Sequence, residues 1–102
     1  MQKIIGGQEI QVNEQGYLTD LNQWDKNVAH EIAKEEQIEL KDDHWKVLDF
    51  LQTQHRQEVP LTIRKVGKSG VVDIKEFYAL FPGGPLKKAS RIAGIPKPAS
   101  CI

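Results

Sequence analysis

The segment that decides how this chain ends its fold is residues 82–102, which read Pro82-Gly83-Gly84-Pro85-Leu86-Lys87-Lys88-Ala89-Ser90-Arg91-Ile92-Ala93-Gly94-Ile95-Pro96-Lys97-Pro98-Ala99-Ser100-Cys101-Ile102. Pro85 suits the first turn of a helix, where its missing N–H costs nothing. Gly94 suits the position just beyond a helix end. Pro96 and Pro98 prevent a helix and favour an extended backbone. We therefore predict a helix over residues 85–93, followed by a flexible arm over residues 94–102.

The arm carries the only cysteine of the chain, Cys101, at the second-to-last position. It has no second cysteine to pair with and almost no following sequence to bury it. A thiolate is the reactive form of cysteine, and nearby cations stabilise it. The basic residues Lys87, Lys88, Arg91 and Lys97 could supply that charge, or could steer a partner. The other interpretation is an inert, exposed cysteine at a frayed end.

Charge is divided between the two halves of the sequence, although the net charge of the 102 residues is zero. Residues 1–59 carry 6 Lys or Arg and 12 Asp or Glu, whereas residues 60–102 carry 8 and 2. A basic half can meet an acidic protein or a nucleic acid. It can equally complement the acidic half inside one fold, and the pattern alone leaves both interpretations open.

Composition indicates one soluble domain, since 39% of the residues are hydrophobic and 27% are charged. No apolar run is long enough for a membrane span, and the first residues do not resemble a signal peptide. A single cysteine and no targeting segment lead us to expect a cytoplasmic protein. We expect no membrane partner.

The pattern of apolar residues predicts a mainly α (α+β) fold, with about five helices behind an N-terminal β-hairpin. The hairpin is expected within residues 3–20, turning at Gly6-Gly7. Four helices are expected over residues 22–37, 42–57, 60–66 and 71–80 before the helix that begins at Pro85. A single domain should then cover residues 1–93.

Other motifs give weaker indications of function. His30, His44 and His55 are too far apart in sequence for a metal-ligand spacing, so no metal site is predicted. Gly67-Lys68-Ser69-Gly70 lacks the upstream glycine of a phosphate-binding loop. Residues 60–80, with Arg64, Lys65 and Lys68, could form a helix-turn-helix. A DNA-binding or regulatory protein is therefore an alternative function, although direct binding to nucleic acid is not the main expectation.

The segment 82–102 resembles the C-terminal signature of the DsrC/TusE family, and the similarity continues upstream. It includes Gly7-Gln8-Glu9-Ile10, Glu14-Gln15-Gly16-Tyr17-Leu18, Trp24, His44-Trp45 and Tyr78-Ala79-Leu80-Phe81-Pro82. The resemblance implies a sulfur carrier whose Cys101 accepts sulfane sulfur as a persulfide and passes it on. This is a sulfurtransferase-type carrier rather than a stand-alone enzyme, and no cofactor is implied.

The resemblance also implies partners: an upstream sulfurtransferase complex, and downstream a tRNA-thiolating enzyme or a sulfite-reductase-like complex. Family members that work with sulfite reductase carry a second arm cysteine eleven positions before the penultimate one. Ser90 occupies that position here, which excludes a disulfide within the arm. We therefore favour the TusE-like relay of tRNA 2-thiouridine synthesis, with a sulfite-reductase-associated DsrC-like role as the alternative. The stretch from Ile63 to Phe77 also looks shorter than in those proteins.

Overall fold

A computed structural model describes residues 2–97 of the chain, and it confirms a mainly α fold with an N-terminal hairpin. Strands β1 (Gln2–Ile5) and β2 (Gln8–Gln11) pair antiparallel, with Ile5 opposite Gln8. Gly6 and Gly7 make the two-residue turn, and both have positive φ, as the tightest hairpin turns require. The inward side chains Ile5 and Ile10 are buried.

Helix α1 spans Lys26–Glu35, so the prediction that it opens at residue 22 is wrong. Leu21–Gln23 instead form one 3₁₀ turn, and Trp24 then takes an extended backbone. Two aspartates explain the interruption. Asp20 accepts a hydrogen bond from the Asn22 amide, and Asp25 accepts one from the Val28 amide. Each carboxylate caps its own helical turn, which leaves Trp24 between them outside any helix.

Helix α2 spans Asp42–Arg56, close to the prediction. His44 lies in its first turn and is buried rather than on the surface. Its Nδ1 accepts a hydrogen bond from the Lys41 amide, and its Nε2 lies 2.9 Å from the Leu80 carbonyl oxygen. Because only a nitrogen that carries hydrogen can donate to a carbonyl, these contacts fit the neutral Nε2–H tautomer. His44 thus caps α2 and ties it to the backbone at Leu80.

Helices α3 (Ile63–Lys68) and α4 (Ile74–Leu80) are each shifted by three residues from their predicted starts at Pro60 and Val71. Side-chain caps set the true starts. Thr62 accepts from the Lys65 amide, and Asp73 accepts from the Glu76 amide. A side-chain acceptor at the cap position satisfies an amide that the helix leaves unpaired, so it overrides the weaker start signal of Pro60. The two short helices pack against each other.

Helix α5 spans Pro85–Ile92, as predicted to within a residue at each end. It lies at the centre of the bundle, in contact with α1, α2 and α4. The largest fully buried side chains come from all five helices and from residues just outside them, and they include Leu18, Ile32, Leu48, Leu51, Val66, Phe77, Phe81, Leu86, Ile92 and Ile95. Among residues 2–97, no helix is long and apolar enough to cross a membrane. Because α5 packs against three other helices, the segment that follows it begins at the centre of the bundle.

Candidate functional site: the root of the C-terminal arm

Cys101 lies outside the described residues, so the site that the structure defines is the arm root, residues 90–95, from which the arm departs. Gly94 and Ile95, assigned from the sequence to the flexible arm, are both buried against the body. Pro96 is the first exposed residue after them. The division of the chain into a domain over residues 1–93 and a flexible arm over residues 94–102 stays a prediction.

Every backbone carbonyl at the end of α5 has a hydrogen-bond donor. The Ile95 amide donates to the Ser90 carbonyl, and the Gly94 amide donates to the Arg91 carbonyl. This pair of hydrogen bonds defines a Schellman motif. The next two carbonyls are satisfied by side chains from elsewhere in the fold. Trp24 Nε1 donates to the Ile92 carbonyl at 2.7 Å, and Gln52 Nε2 donates to the Ala93 carbonyl at 2.8 Å.

These four bonds fix the direction in which the arm leaves the body. A helix end normally exposes its last carbonyls to water, where the chain can fray. Here the side chains of Trp24 and of Gln52, on α2, bond the last two carbonyls. The buried side chain of Ile95 covers the end of α5. The arm root is thus a rigid base for whatever follows it.

Gly94 is required at this point for two reasons. Its φ of +76° lies in the left-handed region that favours glycine. A Cβ placed on it would also meet Cδ1 of Trp24 at 2.6 Å and Cγ at 2.9 Å, which is too close for carbon atoms. The indole therefore lies directly on the glycine backbone. The sequence predicted Gly94 as a helix cap but gave no sign of this contact.

Ser90, the residue at the position of the second family cysteine, lies in the core of the arm root. It is fully buried, and its hydroxyl has no hydrogen-bond partner within residues 2–97. A buried hydroxyl without a partner costs about 1–3 kcal/mol of desolvation. The pocket around this side chain therefore suits a less polar group than serine.

Arg91 lies at the centre of an ion-pair network on the other face of α5. Its guanidinium contacts both carboxylates at the end of α1, Glu35 at 2.9 Å and Glu36, and its Nε donates to the Gly16 carbonyl. Lys3 also pairs with Glu35, and Lys88 lies 3.8 Å from Glu36. Arg91 thus ties the arm root to α1 and to the turn after β2.

The network shifts the ionisation of its members. Burial alone would raise the pKa of Glu35, but hydrogen bonds from Lys3 and Arg91 outweigh it and lower the pKa below its ordinary value. For Arg91, burial opposes the charge, yet hydrogen bonds to Glu35 and Glu36 raise the pKa. Both shifts favour the charged forms, so the pair is fully ionised near neutral pH.

The four cations predicted to dock a partner fall into two classes. Arg91 and Lys88 form ion pairs with carboxylates of the same chain. These pairs agree with the interpretation that the basic half complements the acidic half inside one fold. Lys87 is exposed and Lys97 is partly exposed, and neither forms an ion pair within residues 2–97. A docking role for these cations stays a prediction.

The sequence did not identify two residues of the site, Trp24 and Gln52, as partners of α5. In the sequence, Trp24 was marked only as one of the residues that carry the family resemblance. Gln52 follows Leu48 by four positions and is next to Leu51, so it falls on the apolar side of α2. A polar residue at a core position indicates a buried hydrogen bond, but the pattern does not name the acceptor.

The predicted helix-turn-helix is less suited to DNA than its outline suggests. A recognition helix reads bases with its N-terminal residues. Here α4 begins with Asp73 as its cap and carries Glu76 in its first turn, both of which repel phosphates. The basic residues Arg64, Lys65 and Lys68 all lie on α3 instead.

Comparison with known proteins assigns the fold and the arm to one family. The family model described as "DsrC like protein" matches residues 4–102. The "Sulfurtransferase TusE" of Photorhabdus laumondii is 36% identical over 107 residues, covering 97% of this chain and 96% of that protein.

Solved structures agree with the sequence matches over the whole of both chains. The solution structure of Allochromatium vinosum DsrC is 36% identical with a TM-score of 0.80. The crystal structure of the oxidized gamma-subunit of the dissimilatory sulfite reductase (DsrC) from Archaeoglobus fulgidus is 33% identical with a TM-score of 0.82. The full-length match of sequence and of fold shows that this chain belongs to the DsrC-like family.

Proposed function

We propose that the protein is a sulfur carrier that holds sulfane sulfur as a persulfide on Cys101. Membership of the DsrC-like family, whose relatives include proteins named sulfurtransferases, supports this function. The observation that carries the proposal is the arm root. A helix end whose last carbonyls are all hydrogen-bonded precedes a short segment that carries the only cysteine of the chain.

The chemistry requires one nucleophile and one transferable sulfur. The Cys101 thiolate attacks the outer sulfur of a donor persulfide, an S–S bond forms on Cys101, and the donor leaves as a thiolate. An acceptor nucleophile then attacks the terminal sulfur on Cys101, and the Cys101 thiolate is the leaving group. No electrons are gained or lost in total, so no cofactor is needed.

Geometry limits where the sulfur can be delivered. Cys101 follows Ile95, the last buried residue within residues 2–97, by six positions, and an extended chain spans at most about 3.5 Å per residue. The thiol can therefore act within about 21 Å of the arm root. We propose that the body docks at the mouth of a partner's cleft while the arm enters it, with Lys87 and Lys97 contacting acidic groups of that partner.

The partners we propose are an upstream sulfurtransferase complex and a downstream tRNA-thiolating enzyme, in a TusE-like relay. Ser90 supports this choice over a sulfite-reductase-associated role, because the arm has no second thiol to close a disulfide or trisulfide onto Cys101. Any contact with tRNA would then be made through the enzyme.

The test is to incubate the full chain with a persulfide donor and measure its mass. We expect increments of about 32 Da, one sulfur atom each, on the wild-type protein. The increments should disappear in Cys101→Ala and persist in the matched variant Ser100→Ala. Absence of loading on the wild-type protein, or equal loading of Cys101→Ala, would contradict the proposal.

A second measurement separates the two family roles. Loaded protein is mixed with a tRNA-thiolating enzyme and tRNA, or with a dissimilatory sulfite reductase, and loss of the mass increment is followed. Transfer to the first system supports the relay, and transfer only to the second supports the alternative role.

A further inference from the structure

A groove lies between α2 and α3, distant in sequence from the arm root. Its volume is about 490 Å³. The lining side chains come from α2, from α3 and from the residues flanking α3, and they are Phe50, Gln54, Thr62, Arg64, Lys65, Lys68 and Ser69. Three of these seven residues are cationic and none is acidic.

The cations of this groove have no carboxylate partner within residues 2–97. None of the ion pairs formed there includes Arg64, Lys65 or Lys68, and all three side chains are exposed. Lys65 Nζ donates to the Pro60 carbonyl, which holds the ammonium at the groove without neutralising it. The basic half of the sequence is therefore only partly matched by the acidic half.

One aromatic side chain lines the groove together with the cations. Phe50 is partly buried, packs against the core and contributes apolar surface to the groove. An aromatic side chain beside cations suits a ligand that has both an apolar anchor and negative charges. Gln54 adds a hydrogen-bonding group, whereas the Ser69 hydroxyl already has partners within the fold.

We propose that this groove binds an acidic segment of a partner protein, with an apolar side chain seated on Phe50 and carboxylates facing Arg64, Lys65 and Lys68. The partner is protein rather than nucleic acid for two reasons. The chain has no net charge, so long-range attraction of a polyanion is weak. Three cations also neutralise few phosphates, and phosphate neutralisation supplies essentially all of the non-specific affinity for nucleic acid. The groove would hold the body while the arm remains free to transfer sulfur.

The test uses fluorescence anisotropy with labelled 15-residue helical peptides and the full chain. The first peptide carries two leucines four residues apart among glutamates. The second replaces the leucines by alanine, the third replaces the glutamates by lysine, and a single-stranded 15-nucleotide RNA is the fourth probe. We expect the Leu/Glu peptide to bind at least about tenfold more tightly than the other three probes, and more weakly at high salt.

Two charge-reversed variants locate the binding. Arg64→Glu, Lys65→Glu and Lys68→Glu combined should abolish binding of the Leu/Glu peptide. The matched control combines Lys26→Glu, Lys46→Glu and Lys75→Glu, three exposed cations that do not line the groove, and should reduce affinity less than about threefold. Circular dichroism spectra of both variants should match that of the wild type, which checks that they fold. In amide NMR spectra, shifts on peptide addition should concentrate at residues 50–54 and 62–69.

The proposal would be overturned by any of four results. These are no binding of the Leu/Glu peptide at 1 mM or below (about −4 kcal/mol), tighter binding of the RNA, equal losses in the two variants, or a dimer of this chain that the groove variant dissociates. Persulfide loading of Cys101 is measured on the same variants. Its retention in the groove variant keeps the carrier function separate from the docking function.

Discussion

The two basic regions of the chain, α5 with its arm root and α3 with its groove, have opposite surroundings. On α5, Arg91 and Lys88 face Glu35 and Glu36 of the same chain. On α3, Arg64, Lys65 and Lys68 face a groove that no carboxylate lines. The two helices carry the same number of cations but use them differently. A cation paired with a carboxylate of the same chain stabilises the fold, whereas a cation without such a pair is available to a partner.

The two regions also differ in how their backbones are held. The turn after α5 has Gly94 beneath the Trp24 indole, whereas the turn after α3 has Gly70 in a similar left-handed conformation with open space around it. Position within the bundle explains the difference, since α5 contacts three helices and α3 packs mainly on α4.

The largest predicted effect compares these two glycines. Gly94→Ala should lower the free energy of unfolding by about 2–5 kcal/mol, because the left-handed conformation costs about 1–2 kcal/mol and overpacking against Trp24 adds about 1–3. Gly70→Ala, the matched control, should lower the free energy of unfolding only by the cost of the left-handed conformation, about 1–2 kcal/mol. Urea unfolding measures both, and equal losses would show that the indole contact is unimportant.

The second prediction compares cations. Arg91→Met should cost about 1–3 kcal/mol of stability, because it leaves Glu36, largely shielded from water, and Glu35 without their main partner. Lys65→Met should change stability by no more than about 0.5 kcal/mol, as expected for an exposed side chain with no ion pair in the described part of the chain. If Arg91→Met leaves the stability unchanged, the ion-pair network does not stabilise the fold, and the result would favour a docking role for Arg91.

The third prediction concerns the core side of the arm root. Ser90→Ala removes a buried hydroxyl that lacks a partner within residues 2–97, so stability should rise by up to about 1 kcal/mol. Ser69→Ala, the control from the α3 region, should reduce stability by about 0.5–1.5 kcal/mol, because that hydroxyl donates to the Val66 carbonyl at 2.6 Å and accepts from the Val71 amide. Thermal unfolding of both variants gives the comparison, and a loss of stability in Ser90→Ala would refute it.

The smallest predicted effect is a dependence on pH. Because the pKa of Glu35 is lower in the folded chain than in the unfolded one, its contribution is present above the unfolded pKa and is lost as pH falls through the folded pKa. The carboxylate is partly exposed, so the effect should be below about 1 kcal/mol. Unfolding curves between pH 6 and about pH 3 should show it in the wild type and not in Glu35→Gln. A variant profile parallel to that of the wild type would exclude Glu35 as the source.

Local signals in the sequence determined much of this molecule. The Gly6-Gly7 turn, the apolar periodicity of α2, Pro85 at the start of α5 and Gly94 at its end all act within a few residues, and the structure confirms each. The resemblance of residues 82–102 identified the family and marked Cys101 and Ser90. These features are readable because turn chemistry and helix caps depend on nearest neighbours in the chain.

Helix starts were less readable where two signals competed. Pro60 and the apolar run at Val71 indicated earlier starts for α3 and α4, but Thr62 and Asp73 accept the amide hydrogen bonds that fix them. The same is true of α1. It was predicted to begin at Asn22, but Asp25 caps it and it begins at Lys26. Which cap prevails depends on where the rest of the fold requires the helix to point.

Contacts between distant residues were decided only by the tertiary structure. Trp24 and Ile92 are 68 positions apart, Gln52 and Ala93 are 41 apart, and Arg91 and Glu36 are 55 apart, yet each pair is hydrogen-bonded. The sequence alone determined that the chain is mainly helical, that its single cysteine is Cys101, and that its charge is divided between its two halves. Only the packing of α5 against α1 and α2 decided which cations are matched and how firmly the arm root is held, because both depend on which side chains meet in space.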